Sequence, residues 1–93
     1  MSIEHDTAGH RFVMQLDEGE GELAYVLRGN DVMDIVHTHV PPDGRGEGAG
    51  EQLVLAALEH ARANDLRIVP SCPFVRHWMS EHPEHAGLLA TGG

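Results

Sequence analysis

The sequence predicts an α/β (α+β) fold, an antiparallel three-stranded meander followed by a β-α-β-α run that shares its first strand with the meander. Three observations predict it. Apolar residues alternate over roughly the first forty positions, with turn residues between the runs. From Gly48 to Ala63 the apolar period lengthens to that of a helix. Between the two lies HTHVPPDGRGEGAGEQL, His37 to Leu53, where four glycines fall within seven positions.

The first strand is RFVMQLD, which sets Phe12, Met14 and Leu16 against Val13 and Gln15. DEGEGE at 17–22 is an acidic turn. ELAYVLRG places Leu23, Tyr25 and Leu27 on one face and Ala24 and Val26 on the other, and Gly29-Asn30 suits the positive φ of a hairpin turn. VMDIVHTHV is the third strand, with Ile35, His37 and His39 on one face and Val36, Thr38 and Val40 on the other. Pro41-Pro42 ends it, because proline has no N–H for the ladder. In the helix, Ala49, Leu53, Val54, Ala57, Leu58 and Ala61 form one stripe, with Glu47, Glu51, Gln52, Glu59 and Arg62 mostly off it. Ala63-Asn64-Asp65 closes the helix and LRIVPSC is the fourth strand. PFVRHWMSEHPEH is a short second helix broken before Pro83. HPEH at 82–85 caps and packs that helix.

At 93 residues the chain makes one domain, 1–93, with residues 1–10 expected as a flexible lead. The net charge of −9 and pI near 5.1 disfavour a nucleic-acid binder, which needs clustered cations. There is no lysine, and all six cations are arginine. A negative surface favours cationic or amine partners. A single cysteine forms no internal disulfide, so a cytoplasmic setting is the default. No run is long enough to span a bilayer, and the polar, acid-bearing first residues argue against a signal peptide. A monomer or small homo-oligomer is expected.

Three phosphate-loop readings compete for the glycines. The P-loop pattern requires Gly-Lys-Ser/Thr, and without lysine it is excluded. The dinucleotide fingerprint fits formally as Gly44-Arg-Gly46-Glu-Gly48-Ala49, but Pro41, Pro42 and Asp43 separate it from the strand, and no acid ends the next strand to hold a ribose. The third is Arg45-x-x-Gly48-x-Gly50 at a strand-to-helix junction. Helix-start amides with their positive dipole suit a pyrophosphate, glycines let it approach the backbone, and Arg45 adds a charged donor. Against this stands a plain tight turn, which rarely needs four glycines.

This strand, R-x-x-G-x-G loop and amphipathic helix resemble the acetyl-CoA-binding core of the GNAT superfamily of N-acetyltransferases. IVHTHVPPDGRGEGAGEQLVLAALEHAR, then LRIVPSCPFV and HPE, look like the superfamily's small, stand-alone branch, the N-acetyltransferase domain-containing proteins. The resemblance covers roughly residues 20 to 89, and the combination H-T-x-V-P, R-G-x-G, C-P-F-V and H-P-E is more specific than any glycine pattern. It implies a strand before the loop that splays from a parallel partner, LRIVP, with the pantetheine arm of acetyl-CoA in the gap. Backbone groups of Thr38, His39 and Val40 would line the pantetheine. Amides around Arg45, Gly46, Glu47, Gly48, Ala49 and Gly50 would hold the pyrophosphate, and Cys72 and Pro73 would complete the cofactor site. The implied reaction moves the acetyl group of acetyl-CoA to an amine.

Such transfer needs a base for the amine proton and an acid for the departing sulfur. Many superfamily members use a tyrosine as the acid. Here the only tyrosine is Tyr25, in the second strand, and the helix after Cys72 carries Trp78. Cys72 is the better candidate, as proton donor or as covalent nucleophile, and a buried cysteine serving as a small hydrophobe is the bland alternative. His37 and His39 are candidate bases, since imidazole titrates near neutrality, or packed histidines bonded to backbone. His-x-His on a strand is also a two-ligand metal spacing, but Asp43 and Gly44 stand where a further glutamate ligand is wanted, and no metal is expected. Two rivals to the acetyltransferase remain: a non-catalytic acyl-CoA-binding module needing a partner chain, and a histidine-rich metal-binding protein.

Overall fold

The structure is a computed structural model that describes residues 3–17, 19–41 and 48–90. Its elements are β1 (Ile3–Asp6), β2 (Arg11–Leu16), β3 (Gly19–Arg28), β4 (Val32–His39), α1 (Ala49–Ala63), β5 (Arg67–Pro70), α2 (Pro73–Ser80) and a 3₁₀ turn, Pro83–Leu88. They form one five-stranded sheet in the order β1-β2-β3-β4-β5. The first four strands pair antiparallel, and β4 pairs with β5 in parallel. This is the expected meander and parallel pair, with one strand more at the N-terminal edge.

That strand lies in the expected flexible lead. Ile3, His5 and Asp6 pair with Met14, Phe12 and Arg11 of β2. Ile3 is its single apolar residue, so hydrophobic alternation leaves it invisible. Other contacts hold it: the His5 ring stacks on Phe12 at 4.1 Å, and Arg11 Nε donates to Asp6 Oδ2 at 3.2 Å.

α1 begins after Gly48, whose φ of 76° is the left-handed conformation that glycine adopts without steric cost. Its apolar stripe packs as the period dictates, with Ala49, Leu53, Val54, Ala57, Leu58 and Ala61 all fully buried. Burying each of the larger three, Leu53, Val54 and Leu58, contributes about 1.5–3 kcal/mol. They meet Phe12, Met14, Leu23, Tyr25, Met33, Ile35 and Ile68 from the sheet, and Val75, Trp78 and Met79 of α2 join the same core. Asn64 ends the helix by donating to the His60 carbonyl at 2.9 Å. β5 is covered on its outer edge, where Leu89 bridges to Ile68 and Ala90 N donates to Ile68 O at 2.9 Å. Among the described residues no helix is long and apolar enough to cross a membrane.

One irregularity reorders the face assignments. Ala24 pairs with His37 and Tyr25 with Ile35, leaving Val36 without a partner in the register. An extra residue on one strand is a β-bulge, and it inverts the alternation beyond it. Thr38, opposite the fully buried Leu23, therefore joins the core face. His37 and His39, opposite Ala24 and Glu22, turn to the other. This corrects the expected face shared by Ile35, His37 and His39: the alternation holds up to Ile35 and is out of phase after it. Leu27 keeps the face it shares with Leu23 and Tyr25, opposite buried Met33, and is 44% exposed near the end of β3.

Candidate active site

The parallel pairing of β4 and β5 stops at Ile35 and Pro70. β4 continues past its bulge toward the glycine loop, while the other chain turns into α2, so the strands part. A cleft of about 430 Å³ opens beside the end of β4. Thr38, His39 and Val40 line it from the strand, Gly48, Gly50 and Glu51 from the start of α1, and Phe74 from α2.

The first-turn amides of a helix have no acceptor within the helix, and here they adjoin the cleft through Gly48 and Gly50. Gly50 is required by close approach. A Cβ built on it would lie 2.9 Å from Phe74 Cζ and 3.2 Å from Phe74 Cε2. Gly48 is required by its φ, and a Cβ built on it meets none of the described residues within 4 Å. Of the expected pyrophosphate residues, Arg45, Gly46 and Glu47 lie outside the described residues, as does the loop from Pro42 to Gly44. Ala49 is fully buried and faces the core rather than the cleft.

Cys72 stands at the N-cap of α2 with extended backbone angles, and its residue is 6% exposed. Its N–H donates to Ile35 O at 2.9 Å, which ties the head of α2 to the last residue of β4 paired with β5. Its thiol lies 3.6 Å from Thr38 Oγ1, in donor geometry. The bulge is what makes that contact: without it Thr38 would point to the opposite face. Pro73 occupies the first position of α2, where its missing N–H costs nothing, and it is exposed. Thr38, His39 and Val40 are thus gathered with Gly48 and Gly50, and Cys72 joins them through Thr38. His37 is exposed on the far face and is not among the cleft's described residues.

Sequence reasoning passed over two cleft residues. Phe74 was visible within C-P-F-V as an apolar residue at a helix start, but its contact with Gly50 is a matter of tertiary packing. Glu51 reads as an ordinary first-turn acid of a solvent-facing stripe. In the structure its carboxylate accepts from Trp78 Nε1 at 3.0 Å and lies 3.9 Å from His82 Nε2. His82 stacks on Trp78 at 3.8 Å and bonds through Nδ1 to the Trp78 carbonyl at 2.7 Å, so the HPEH segment caps and packs α2.

The remaining histidines are occupied elsewhere. His5 is hydrogen-bonded through Nε2 to the Tyr25 hydroxyl at 2.6 Å and meets His60 edge-on at 4.4 Å, while His10 stacks on Tyr25 at 5.4 Å. Burial first, then the neighbouring His60 and His10, hold the His5 pKa below its usual 6.5, against the opposite pull of Asp6. Tyr25 is 5% exposed at this edge cluster, and burial pushes its phenol pKa upward. Among the described residues no three His, Cys, Asp or Glu side chains are grouped to hold a metal ion.

A strand that parts from its parallel partner over a helix start is what the resemblance to N-acetyltransferases implies, and comparison with known proteins agrees. The model of the GCN5-related N-acetyl-transferase family matches residues 11–88, and the chain belongs to that family. The chain is similar to protein NATD1 of Bos taurus, 31% identical over 83 residues that span 87% of this chain and 74% of the relative. Protein NATD1 of Homo sapiens is 30% identical over 83 residues, with the same two coverages, 87% and 74%. The solution structure of a GCN5-like protein from Staphylococcus aureus superposes with a TM-score of 0.78 at 30% identity, covering 96% of this chain and 87% of the other. The crystal structure of Ard1 from Thermoplasma volcanium shares the fold, at a TM-score of 0.60 and 16% identity over 82% of this chain and 56% of that one.

Proposed function

We propose that this protein is an acetyl-CoA-dependent N-acetyltransferase in which Cys72 is the proton donor. The observation that carries the reading is the Cys72 thiol, 3.6 Å from Thr38 Oγ1 and in donor geometry toward it, on a residue that lines the cleft. Acetyl-CoA supplies the acetyl group as a thioester, and its transfer yields an amide and the free thiol of coenzyme A.

The fit rests on the cleft itself. A volume of about 430 Å³ suits an extended pantetheine arm. Thr38, His39 and Val40 run along one wall of the cleft. The amides beginning at Gly48 offer a pyrophosphate the dipole and unpaired donors of a helix start. Phe74, packed against Gly50, forms the far wall. The attacking amine loses one proton to solvent, and Cys72 Sγ gives one to the departing sulfur, so the two exchanges balance once solvent returns a proton to Cys72.

The acceptor is an amine, and the net charge of −9 favours a cationic one. A free thiol beside cleft-lining Thr38 suits a reducing compartment such as the cytoplasm. A second reading, an acyl-CoA-binding module whose acceptor wall comes from a partner chain, draws support from Val26 and Val36, each 41% exposed on the sheet.

The test is a pair of measurements on the wild type and Cys72→Ala. Calorimetric titration should give acetyl-CoA binding in both, and coenzyme A release with a panel of amines should fall by about 10²-fold in the variant. No binding at millimolar acetyl-CoA rejects the family activity for this chain. Binding without transfer to any amine favours the module, and equal turnover in the two proteins removes Cys72 from the chemistry.

A further inference from the structure

We infer that Asp34 is a positioning residue for Cys72, acting through Ser71; the inference rests on the reading of Cys72 as the proton donor. Asp34 is the buried charged residue of the described chain, at 4% exposed, and nothing in the proposed chemistry uses it. A carboxylate withdrawn from water is costly unless its oxygens are filled, and both are. Oδ2 accepts from Arg28 Nε at 2.8 Å, and Oδ1 accepts from Ser71 Oγ at 2.6 Å. Arg28 alone does not explain the burial, because its side chain is 62% exposed and could pair with a carboxylate in solvent.

The bond to Ser71 is different in kind. It joins β4 to the residue after β5, across the point where the two strands part. One residue further along both chains, Ile35 O accepts from Cys72 N at 2.9 Å. Two consecutive residues of β4 therefore grip two consecutive residues at the head of α2, one through a side chain and one through the backbone. Arg76 closes the grip from within α2, donating through Nη2 to Ser71 O at 3.2 Å and through Nε to Pro70 O at 3.3 Å. A segment held at Pro70, Ser71 and Cys72 has little freedom left, and this fixes the 3.6 Å approach of Cys72 Sγ to Thr38 Oγ1. A carboxylate serves here because an acceptor with two filled oxygens holds the Ser71 hydroxyl more firmly than a neutral group would.

The experiment follows the thiol rather than the acetyl transfer. The rate of Cys72 alkylation by iodoacetamide is measured in the wild type, Ser71→Ala, Ser71→Thr and Asp34→Asn, together with Tm and the Kd for acetyl-CoA. Ser71 is exposed, so Ser71→Ala is expected to fold, and Asp34→Asn keeps an acceptor while removing the charge. The expected result is an alkylation rate changed by about fivefold or more in Ser71→Ala, restored to within about twofold by Ser71→Thr, with Kd unchanged; Asp34→Asn should fall between. An unchanged rate in Ser71→Ala overturns the inference whatever happens to Tm, and so does a changed rate that Ser71→Thr fails to restore. Because alkylation needs no acetyl acceptor, the result stands apart from the transfer assay: loss of the acetyltransferase reading would show in that assay and leave the alkylation comparison intact.

Discussion

The ring of Phe74 rests against Gly50 so closely that a Cβ on Gly50 would approach Phe74 Cζ to 2.9 Å. Alanine in a helix is favoured over glycine by about 1 kcal/mol, and here the clash opposes that gain. The ring is 45% exposed and able to swing, and the space open to it is the cleft it lines. Gly50→Ala is thus expected to leave Tm nearly unchanged while weakening acetyl-CoA binding about tenfold. In a Phe74→Ala background the same change should raise Tm by several degrees, because the propensity gain is then unopposed. Equal shifts in both backgrounds would show that the two residues do not interact.

Gly48 poses the opposite case. A Cβ there meets nothing within 4 Å among the described residues, but φ at 76° imposes strain of about 1–2 kcal/mol on any residue with a Cβ. Gly48→Trp should keep the wild-type circular dichroism with a modestly lower Tm. Its indole would cover the first-turn amides, and acetyl-CoA binding should disappear in calorimetry. Retained affinity would place the pyrophosphate elsewhere.

The bulge at Val36 is open to direct removal. Deleting Val36 preserves which residues face the core, since His37 takes its place and Thr38 stays inward, but it removes the bend that a bulge brings. The expected product is a folded protein whose β4 continues pairing with β5 and whose cleft has closed. Acetyl-CoA affinity should fall by at least about 10²-fold while far-ultraviolet circular dichroism is unchanged. Full affinity in the deletion variant would separate the bulge from the opening of the cleft.

The pH dependence of stability follows from His5. Its pKa in the folded protein is below 6.5, so as pH falls the unfolded chain takes up the proton first. Stability from this group is complete above about pH 6.5 and declines as pH drops through the folded pKa. Asp34 adds to the loss at lower pH: burial alone would raise its pKa, but the hydrogen bonds from Ser71 and Arg28 outweigh that and hold it below 3.8. Tm should fall between about pH 7.5 and about pH 5.5, and His5→Gln, whose amide can still reach the Tyr25 hydroxyl, should flatten that fall. Parallel Tm curves for the two proteins would show that His5 does not drive it.

What the sequence disclosed and what it withheld follow from the range of the interactions. The stripe from Ala49 to Ala61 and the alternation of Phe12, Met14 and Leu23 are local periodicities, legible because burial selects them residue by residue. The glycine loop and Cys72 were legible as a motif with a chemical reason. β1 was hidden because it is held by ring stacking and an ion pair rather than by apolar alternation. The facing of His37 and His39 was misread because alternation assumes an unbroken ladder, and no residue type at Val36 announces a bulge. Glu51 and Phe74 became site residues only when two helices met, a fact of tertiary packing.

Trp78 is the one tryptophan of the chain, buried at 7%, with its N–H on cleft-lining Glu51 and its ring sandwiched near His82 and His85. The protein therefore carries a built-in optical reporter at the junction of its two helices. A ligand entering the cleft would perturb Glu51 and, through a single hydrogen bond, the indole, making occupancy readable as a change in emission without any label attached.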